Sequence, residues 1–89
     1  MNKHLTISGR VQGVGFRYSA QQKAMELNLV GWVKNKPDGT VELEVEGDRS
    51  YVSEYIGALK SGLTPFIQVD HIEEQTSKDH KKYNRFSIK

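Results

Sequence analysis

The sequence contains no cysteine, which excludes disulfide bonds, thiolate nucleophiles and cysteine-ligated zinc. It also lacks any apolar run near the ~20 residues that a transmembrane helix needs, so we expect no interaction with a membrane. The first residues show no basic segment followed by an apolar one, so no secretory signal is visible. Because small secreted domains usually depend on disulfide bonds, these absences favour a cytoplasmic protein. With 89 residues, the chain is short for two independent cores, and we expect a single domain over residues 1–89.

The net charge of +2 is small, but charge is distributed unevenly along the chain. Residues 1–36 contain six Lys or Arg and one acidic residue, residues 37–74 contain two and nine, and residues 75–89 contain five and one. The basic first third suits a small anion but lacks the broad basic footprint of a nucleic-acid-binding protein. The three histidines are isolated, without the paired spacing of zinc ligands, so we expect neither a metal nor another cofactor.

The spacing of apolar residues predicts a βαββαβ order, with the last strand open to division into a hairpin. The predicted elements are a strand over residues 3–11, a helix from 16 to about 27, strands over 29–36 and 40–46, a helix over about 49–61, a strand from 67 and a short strand over 83–88. Right-handed crossovers place both helices on one face of the sheet. The expected fold is therefore an α+β, ferredoxin-like sandwich with an antiparallel sheet and two helices on one face, a fold that hosts many functions.

Two polar features of these elements lead to local predictions. Asn28 stands where the first helix should end, because asparagine tolerates the left-handed conformation of a helix terminus. Glu42, Glu44 and Glu46 alternate with apolar residues in the third strand. We interpret them as a solvated strand face rather than a cation site.

A glycine-spaced turn leads from the first strand into the first helix, and residues 9–17 read Gly-Arg-Val-Gln-Gly-Val-Gly-Phe-Arg. Gly13 and Gly15 allow a tight path with inward-pointing amides, which suits an oxyanion at a helix N-terminus. Arg17 adds a planar positive group that matches phosphate geometry. The Lys-Ser/Thr ending of a nucleotide P-loop and the third glycine of the dinucleotide motif are absent. From this spacing alone, an ordinary glycine turn with a solvated arginine remains the competing interpretation.

A second motif runs from Gly31 to Gly47, and together the two motifs resemble those of the acylphosphatases. The first matches the family signature Gly-x-Val-Gln-Gly-Val-Gly-Phe-Arg, and the second matches Gly-Trp-Val-Lys-Asn with Gly39, Val41 and Gly47 in place. Departures are small. Asn28 stands where a glycine is usual, and residues 62–66 match the later part of the family only loosely.

This resemblance implies an enzyme that hydrolyses acyl phosphates to a carboxylate and inorganic phosphate without a metal. It maps the catalytic pair onto Arg17 and Asn35. It maps the phosphate-binding loop onto the amides of six consecutive residues, Gln12, Gly13, Val14, Gly15, Phe16 and Arg17. Asn35 cannot act as a base, because its amide does not titrate, but it can orient a water molecule.

Two other functions remain open on the sequence. A non-catalytic module that senses phosphate or binds a partner protein could share these motifs, and turnover of an acyl phosphate would distinguish it from an enzyme. RNA binding also occurs on ferredoxin-like sheets, but it uses exposed aromatic and basic residues on the central strands. Here the third strand carries three glutamates, which would repel phosphates. We therefore expect a monomer that acts on a small acyl phosphate and does not bind nucleic acid.

Overall fold

The computed structural model describes residues 1–89 as one five-stranded sheet with two helices packed on one of its faces. The elements are β1 (Asn2–Arg10), α1 (Phe16–Glu26), β2 (Val30–Asn35), β3 (Val41–Glu46), α2 (Arg49–Lys60), β4 (Gln68–Ser77) and β5 (Phe86–Ile88). Their spatial order in the sheet is β4-β1-β3-β2-β5. All neighbouring strands are antiparallel except β2 and β5, which are parallel. The predicted ferredoxin-like sandwich is confirmed, with a mixed rather than a purely antiparallel sheet.

The first helix follows its predicted pattern. Phe16, Ala20 and Ala24 are its buried residues, and their spacing places them on one side of the helix. Asn28 lies just beyond its C-terminus with a left-handed φ of 57°, as predicted. Neither helix is long and apolar enough to cross a membrane.

A cluster of 18 buried apolar residues fills the space between the helices and the sheet. Tyr55 of α2 lies within it, and its hydroxyl donates to the Ala20 carbonyl of α1 at 2.8 Å. Burial raises the pKa of this hydroxyl. Tyr55 also packs edge-on against Phe86 of β5, with 6.1 Å between ring centroids. This one side chain therefore links both helices to the edge strand.

The last two strands do not form a hairpin, a possibility that the sequence had left open. β4 pairs with β1 at one edge of the sheet, whereas β5 pairs with β2 at the other. Residues 78–85 cross between these edges. Phe86 is buried in the core at the β2 edge. A strand of three residues has too little pattern to indicate which edge it joins, so the sequence could not resolve this pairing.

The interpretation of Glu42, Glu44 and Glu46 as a solvated row is wrong for two of the three. Glu44 and Glu46 are only 5% and 6% exposed, because residues 78–85 make hydrogen bonds across this face. Glu42 is partly exposed and accepts a hydrogen bond from the His4 ring at 2.6 Å. The covering segment lies more than 30 positions along the chain, so the alternation within β3 carried no sign of it.

Glu46 is held in this buried position by hydrogen-bond donors from both ends of the chain. The Asn2 side chain donates to it at 3.0 Å, and the amides of Lys81 and Lys82 donate at 2.7 and 3.1 Å. Burial opposes ionisation of the carboxyl, but these donors outweigh it and lower its pKa. The ionised form of Glu46 therefore stabilises the packing of residues 78–85 against the sheet.

Candidate active site

The sheet topology brings the carboxyl ends of three strands to the same end of the sheet. β1 and β2 both run antiparallel to β3, and β5 runs parallel to β2, so the carboxyl ends of β1, β2 and β5 point the same way. The loop over residues 11–15 leaves this end of β1, Asn35 ends β2, and Ile88 ends β5. Residues from distant parts of the sequence therefore meet beside the N-terminus of α1.

The loop before α1 depends on two glycines in the left-handed region, Gly13 with φ of 76° and Gly15 with φ of 78°. A Cβ atom at either position would meet nothing within 4 Å. The backbone conformation, not crowding, therefore requires glycine here. Replacing either glycine would strain the path of the loop without any clash.

The amides of residues 12–18 donate no hydrogen bond within the protein. The first bond of α1 runs from the Ser19 amide to the Gly15 carbonyl at 3.0 Å, and no side chain caps the helix. Free amides and the positive end of the helix dipole together make this surface suitable for binding an anion. All six residues that the sequence assigned to the phosphate-binding loop contribute such a free amide.

Arg17 lies in the first turn of α1, beside these amides. Its Nη1 donates to the backbone oxygen of Lys89 at 3.1 Å. A guanidinium has five N–H donors, so this bond steadies Arg17 and leaves other donors for an anion. Lys89 is 72 positions away from Arg17, and no local motif could have indicated this contact.

Asn35 presents a single unpaired acceptor. Its Oδ1 is the one buried side-chain polar atom in the structure without a hydrogen-bond partner. Buried polar atoms are nearly always paired, so an exception requires an explanation such as a bound water. An acceptor in this position can bind and orient a water molecule.

Arg17 and Asn35 line the same cavity of about 230 Å³. Arg17 is the only charged side chain on its wall, and no carboxylate or imidazole reaches it. The complete lining is Val11, Gly13, Gly15, Phe16, Arg17, Tyr18, Asn35 and Ile88. The structure thus brings both predicted catalytic residues to one cavity. The wall can bind an anion electrostatically, but it has no carboxylate or imidazole that could accept a proton.

Gln12 and Val14 contribute amides to the loop, but their side chains point elsewhere. Val14 packs against the core. The Gln12 side chain donates to the carbonyls of Lys36 and Thr40, both at 2.8 Å. These carbonyls belong to the turn between β2 and β3, immediately after Asn35. The Gln12 side chain therefore connects the loop before α1 to the hairpin that carries Asn35, a role that the sequence did not indicate.

The same turn is shaped by Asp38, which accepts hydrogen bonds from the Thr40 hydroxyl at 2.6 Å and the Thr40 amide at 3.0 Å. These bonds lower the pKa of the Asp38 carboxyl. They hold Thr40 in place, and Thr40 supplies one of the two carbonyls that bind Gln12.

Tyr18 and Ile88 also line the cavity but were not predicted as site residues. Tyr18 follows Arg17 and lies off the buried stripe of α1, so helical spacing could have indicated its exposure. Ile88 carries no such signal, because its position depends on the parallel pairing of β5 with β2. No group of three or more His, Asp or Glu side chains is arranged to bind a metal ion.

Comparison with known proteins finds one family over most of the chain. A family model described as acylphosphatase matches residues 3–88. An acylphosphatase from Geobacillus thermodenitrificans strain NG80-2 is 44% identical over 84 residues, which cover 92% of this chain and 88% of the relative. A crystal structure of acylphosphatase from Bacillus subtilis has a TM-score of 0.94 and 41% identity, covering 98% of this chain and 96% of that one. An acylphosphatase structure from Coxiella burnetii has a TM-score of 0.87 and 38% identity, covering 99% and 90%.

Proposed function

Because the chain belongs to the acylphosphatase family and hydrolyses acyl phosphates, we propose that Arg17 and the amides of residues 12–17 hold the phosphoryl group while Asn35 orients the attacking water. The observation that carries this assignment is the unpaired, buried Oδ1 of Asn35 beside a cavity whose only charge is Arg17. One residue suits the anionic end of the substrate, and the other suits a neutral nucleophile.

The phosphoryl side needs little covalent chemistry. An acyl phosphate is a mixed anhydride whose carboxylate leaves readily, so positioning and electrostatic stabilisation dominate. Free amides and a fixed guanidinium stabilise the charge on the equatorial oxygens without reorganising during the reaction. The hydrogen bond from Arg17 to the Lys89 backbone oxygen supports this role, because it limits the positions that the guanidinium can take.

The water side follows from the chemistry of an amide. Asn35 accepts a hydrogen bond from the water through Oδ1 and thereby aims its oxygen at phosphorus. The new bond joins the water oxygen to phosphorus, and the bond from phosphorus to the acyl oxygen breaks with its electrons leaving on the carboxylate. The cavity wall has no carboxylate or imidazole to accept a proton, and Arg17 stays protonated, so the water proton passes to an oxygen of the substrate's own phosphate.

We further propose that the protein acts as a cytoplasmic monomer without a metal, another cofactor or a nucleic-acid partner. The cavity wall offers no carboxylate or imidazole as a metal ligand. Three glutamates lie along the central strand β3 on the face opposite the helices, and two of them are covered. This charge opposes the binding of a polyanion to that face.

Hydrolysis of benzoyl phosphate, followed by its loss of absorbance, tests the proposal. We expect turnover that is unchanged after exhaustive chelation, with inorganic phosphate inhibiting competitively because the loop binds the phosphoryl end. Phosphate binding without turnover would instead identify a non-catalytic sensing module. Activity that is lost on chelation and restored by a divalent ion would contradict the metal-free mechanism.

A further inference from the structure

Two large apolar side chains are exposed at the cavity that contains Arg17 and Asn35. Tyr18 is 63% exposed and Ile88 is 41% exposed, and both line this cavity. Neither belongs to the hydrophobic core cluster. The other exposed large apolar residues, Met25, Tyr51 and Phe66, lie away from the cavity. Apolar surface is thus left in contact with water beside the proposed phosphate-binding loop, where it makes no contribution to the core.

Both residues are next in sequence to residues of the Arg17 hydrogen bond. Tyr18 follows Arg17 in the first turn of α1, and Ile88 precedes Lys89, whose backbone oxygen accepts the hydrogen bond from Arg17 at 3.1 Å. A phosphoryl group held by Arg17 and the free amides would therefore lie in a cavity whose wall also carries these two apolar side chains. Nothing else on the wall of the cavity offers exposed apolar side-chain surface of this size.

The chemistry of the substrate suggests what covers this surface. An acyl phosphate has an anionic end and a carbon-bearing end, and the amides together with Arg17 account only for the anionic end. Because the phosphoryl group is directed toward the loop, the acyl group must project toward the mouth of the cavity. We propose that Tyr18 and Ile88 bind the acyl leaving group, an inference that rests on the proposed function. The two side chains would favour acyl phosphates with an aromatic or bulky apolar acyl group over acetyl phosphate.

Burial of apolar surface gives the expected size of this preference. A benzoyl ring against the face of Tyr18 removes apolar area from water on both partners, whereas an acetyl methyl group covers little of it. We expect Tyr18→Ala to lower the ratio of kcat/KM for benzoyl phosphate to that for acetyl phosphate about tenfold. We expect Ile88→Ala to lower the same ratio about threefold, because less area is lost. Tyr18→Phe should keep the ratio, since the ring and not the hydroxyl makes the contact.

The experiment measures kcat/KM for both substrates and the inhibition constant of inorganic phosphate in the wild type and these variants. Tyr51→Ala is the matched control, since Tyr51 is also an exposed tyrosine on a helix, at 49% exposure, but lies away from the cavity. The proposal requires a fall in the ratio for Tyr18→Ala with phosphate inhibition within about twofold of wild type, and no change for Tyr51→Ala.

A ratio that is unchanged in both Tyr18→Ala and Ile88→Ala would overturn the proposal while leaving the acylphosphatase activity intact. An equal fall for both substrates, accompanied by a lower melting temperature, would assign Tyr18 a structural role and also overturn it. A wild type that hydrolyses neither substrate would overturn the proposed function and this inference with it.

Discussion

Arg17 is the single charged side chain in the cavity, and it would meet charge that is present both in the bound substrate and in the transition state. Arg17→Gln should therefore weaken phosphate binding and also lower kcat, by about 10²–10³-fold. Arg17→Lys should also lose activity, because one ammonium group cannot donate to the Lys89 backbone oxygen and at the same time bind phosphate with the planar geometry of a guanidinium. Steady-state kinetics and calorimetric titration with phosphate measure both effects.

Circular dichroism provides the folding control for these variants, since Arg17 lies outside the hydrophobic core. A Gln variant with near-wild-type kcat and phosphate affinity would show that the amides alone bind the anion. Full activity in the Lys variant would show that charge is sufficient and that the planar shape is unimportant.

Individual residues of the site differ in how far the sequence could predict them. Arg17 ends a glycine-spaced turn whose residues themselves indicated anion binding, whereas Asn35 was assigned only through the resemblance to the acylphosphatases. The Lys89 backbone oxygen and the Ile88 side chain belong to no motif, because they reach the cavity only through the pairing of β5 with β2. The amide of Gln12 was predicted, but its side-chain partners lie 24 and 28 positions away. Local patterns show chemistry, whereas positioning depends on tertiary structure.

The Gln12 side chain connects the loop before α1 to the turn between β2 and β3. Its replacement should lower both the stability of the fold and the rate of catalysis. Gln12→Ala removes the donor from the carbonyls of Lys36 and Thr40, which should destabilise the fold by about 1–3 kcal/mol. The loop and the β2–β3 turn would then no longer be held in fixed relation. We expect kcat to fall about tenfold or more, because small displacements of reacting groups are costly.

The matched control is Gln21→Ala, which removes one bond from α1 to the Phe86 carbonyl at 2.9 Å, outside the cavity. Urea unfolding and steady-state kinetics on both variants separate the two effects. Gln21→Ala should lower stability and leave kcat near wild type. Equal losses of kcat in the two variants would show that Gln12 stabilises the fold without positioning the site.

The helices and the central strands were predictable because apolar residues recur in their own sequences at helical or strand spacing. The stripe from Phe16 to Ala24 and the alternation of Val41, Leu43 and Val45 each describe one element facing one core. The edge strand β5 and the burial of Glu44 depend instead on the segment over residues 78–85. That segment is polar, and its role lies in hydrogen bonds across the sheet, which leave no periodic signal in the sequence.

The molecule as a whole should lose stability in acid through Glu46. Its pKa lies below the ordinary value of 4.5, so its ionised form stabilises the fold above about pH 4.5. That contribution is lost as the pH falls from there through the lower, folded-state pKa. Glu46→Gln should be less stable than wild type at pH 7, and its free energy of unfolding should depend less on pH below pH 4.5.

Urea unfolding between pH 7 and the acid range measures this difference. Glu54→Gln is the control, because Glu54 is exposed and has no hydrogen-bond or ion-pair partner in the structure. It should follow the wild-type pH dependence. If Glu46→Gln also followed it, the bonds from Asn2, Lys81 and Lys82 would not be the source of acid sensitivity.

The topology of the whole sheet explains why distant motifs act together. β1 and β2 lie on either side of β3, and both terminate at the same end of the sheet. The loop after β1 and Asn35 at the end of β2 therefore both reach the N-terminus of α1. The account therefore assigns two separable tasks to one cavity, anion binding by the loop and water orientation by Asn35.

The most direct test of this division is to measure phosphate affinity and kcat together in Asn35→Ala. Asn84→Ala serves as the control, since Asn84 is exposed and does not line the cavity. The proposed roles predict that Asn35→Ala binds phosphate with nearly wild-type affinity while its kcat falls by about 10²–10³-fold or more, and that Asn84→Ala changes neither. An Asn35→Ala variant that loses phosphate binding, or that retains turnover, would contradict the assignment.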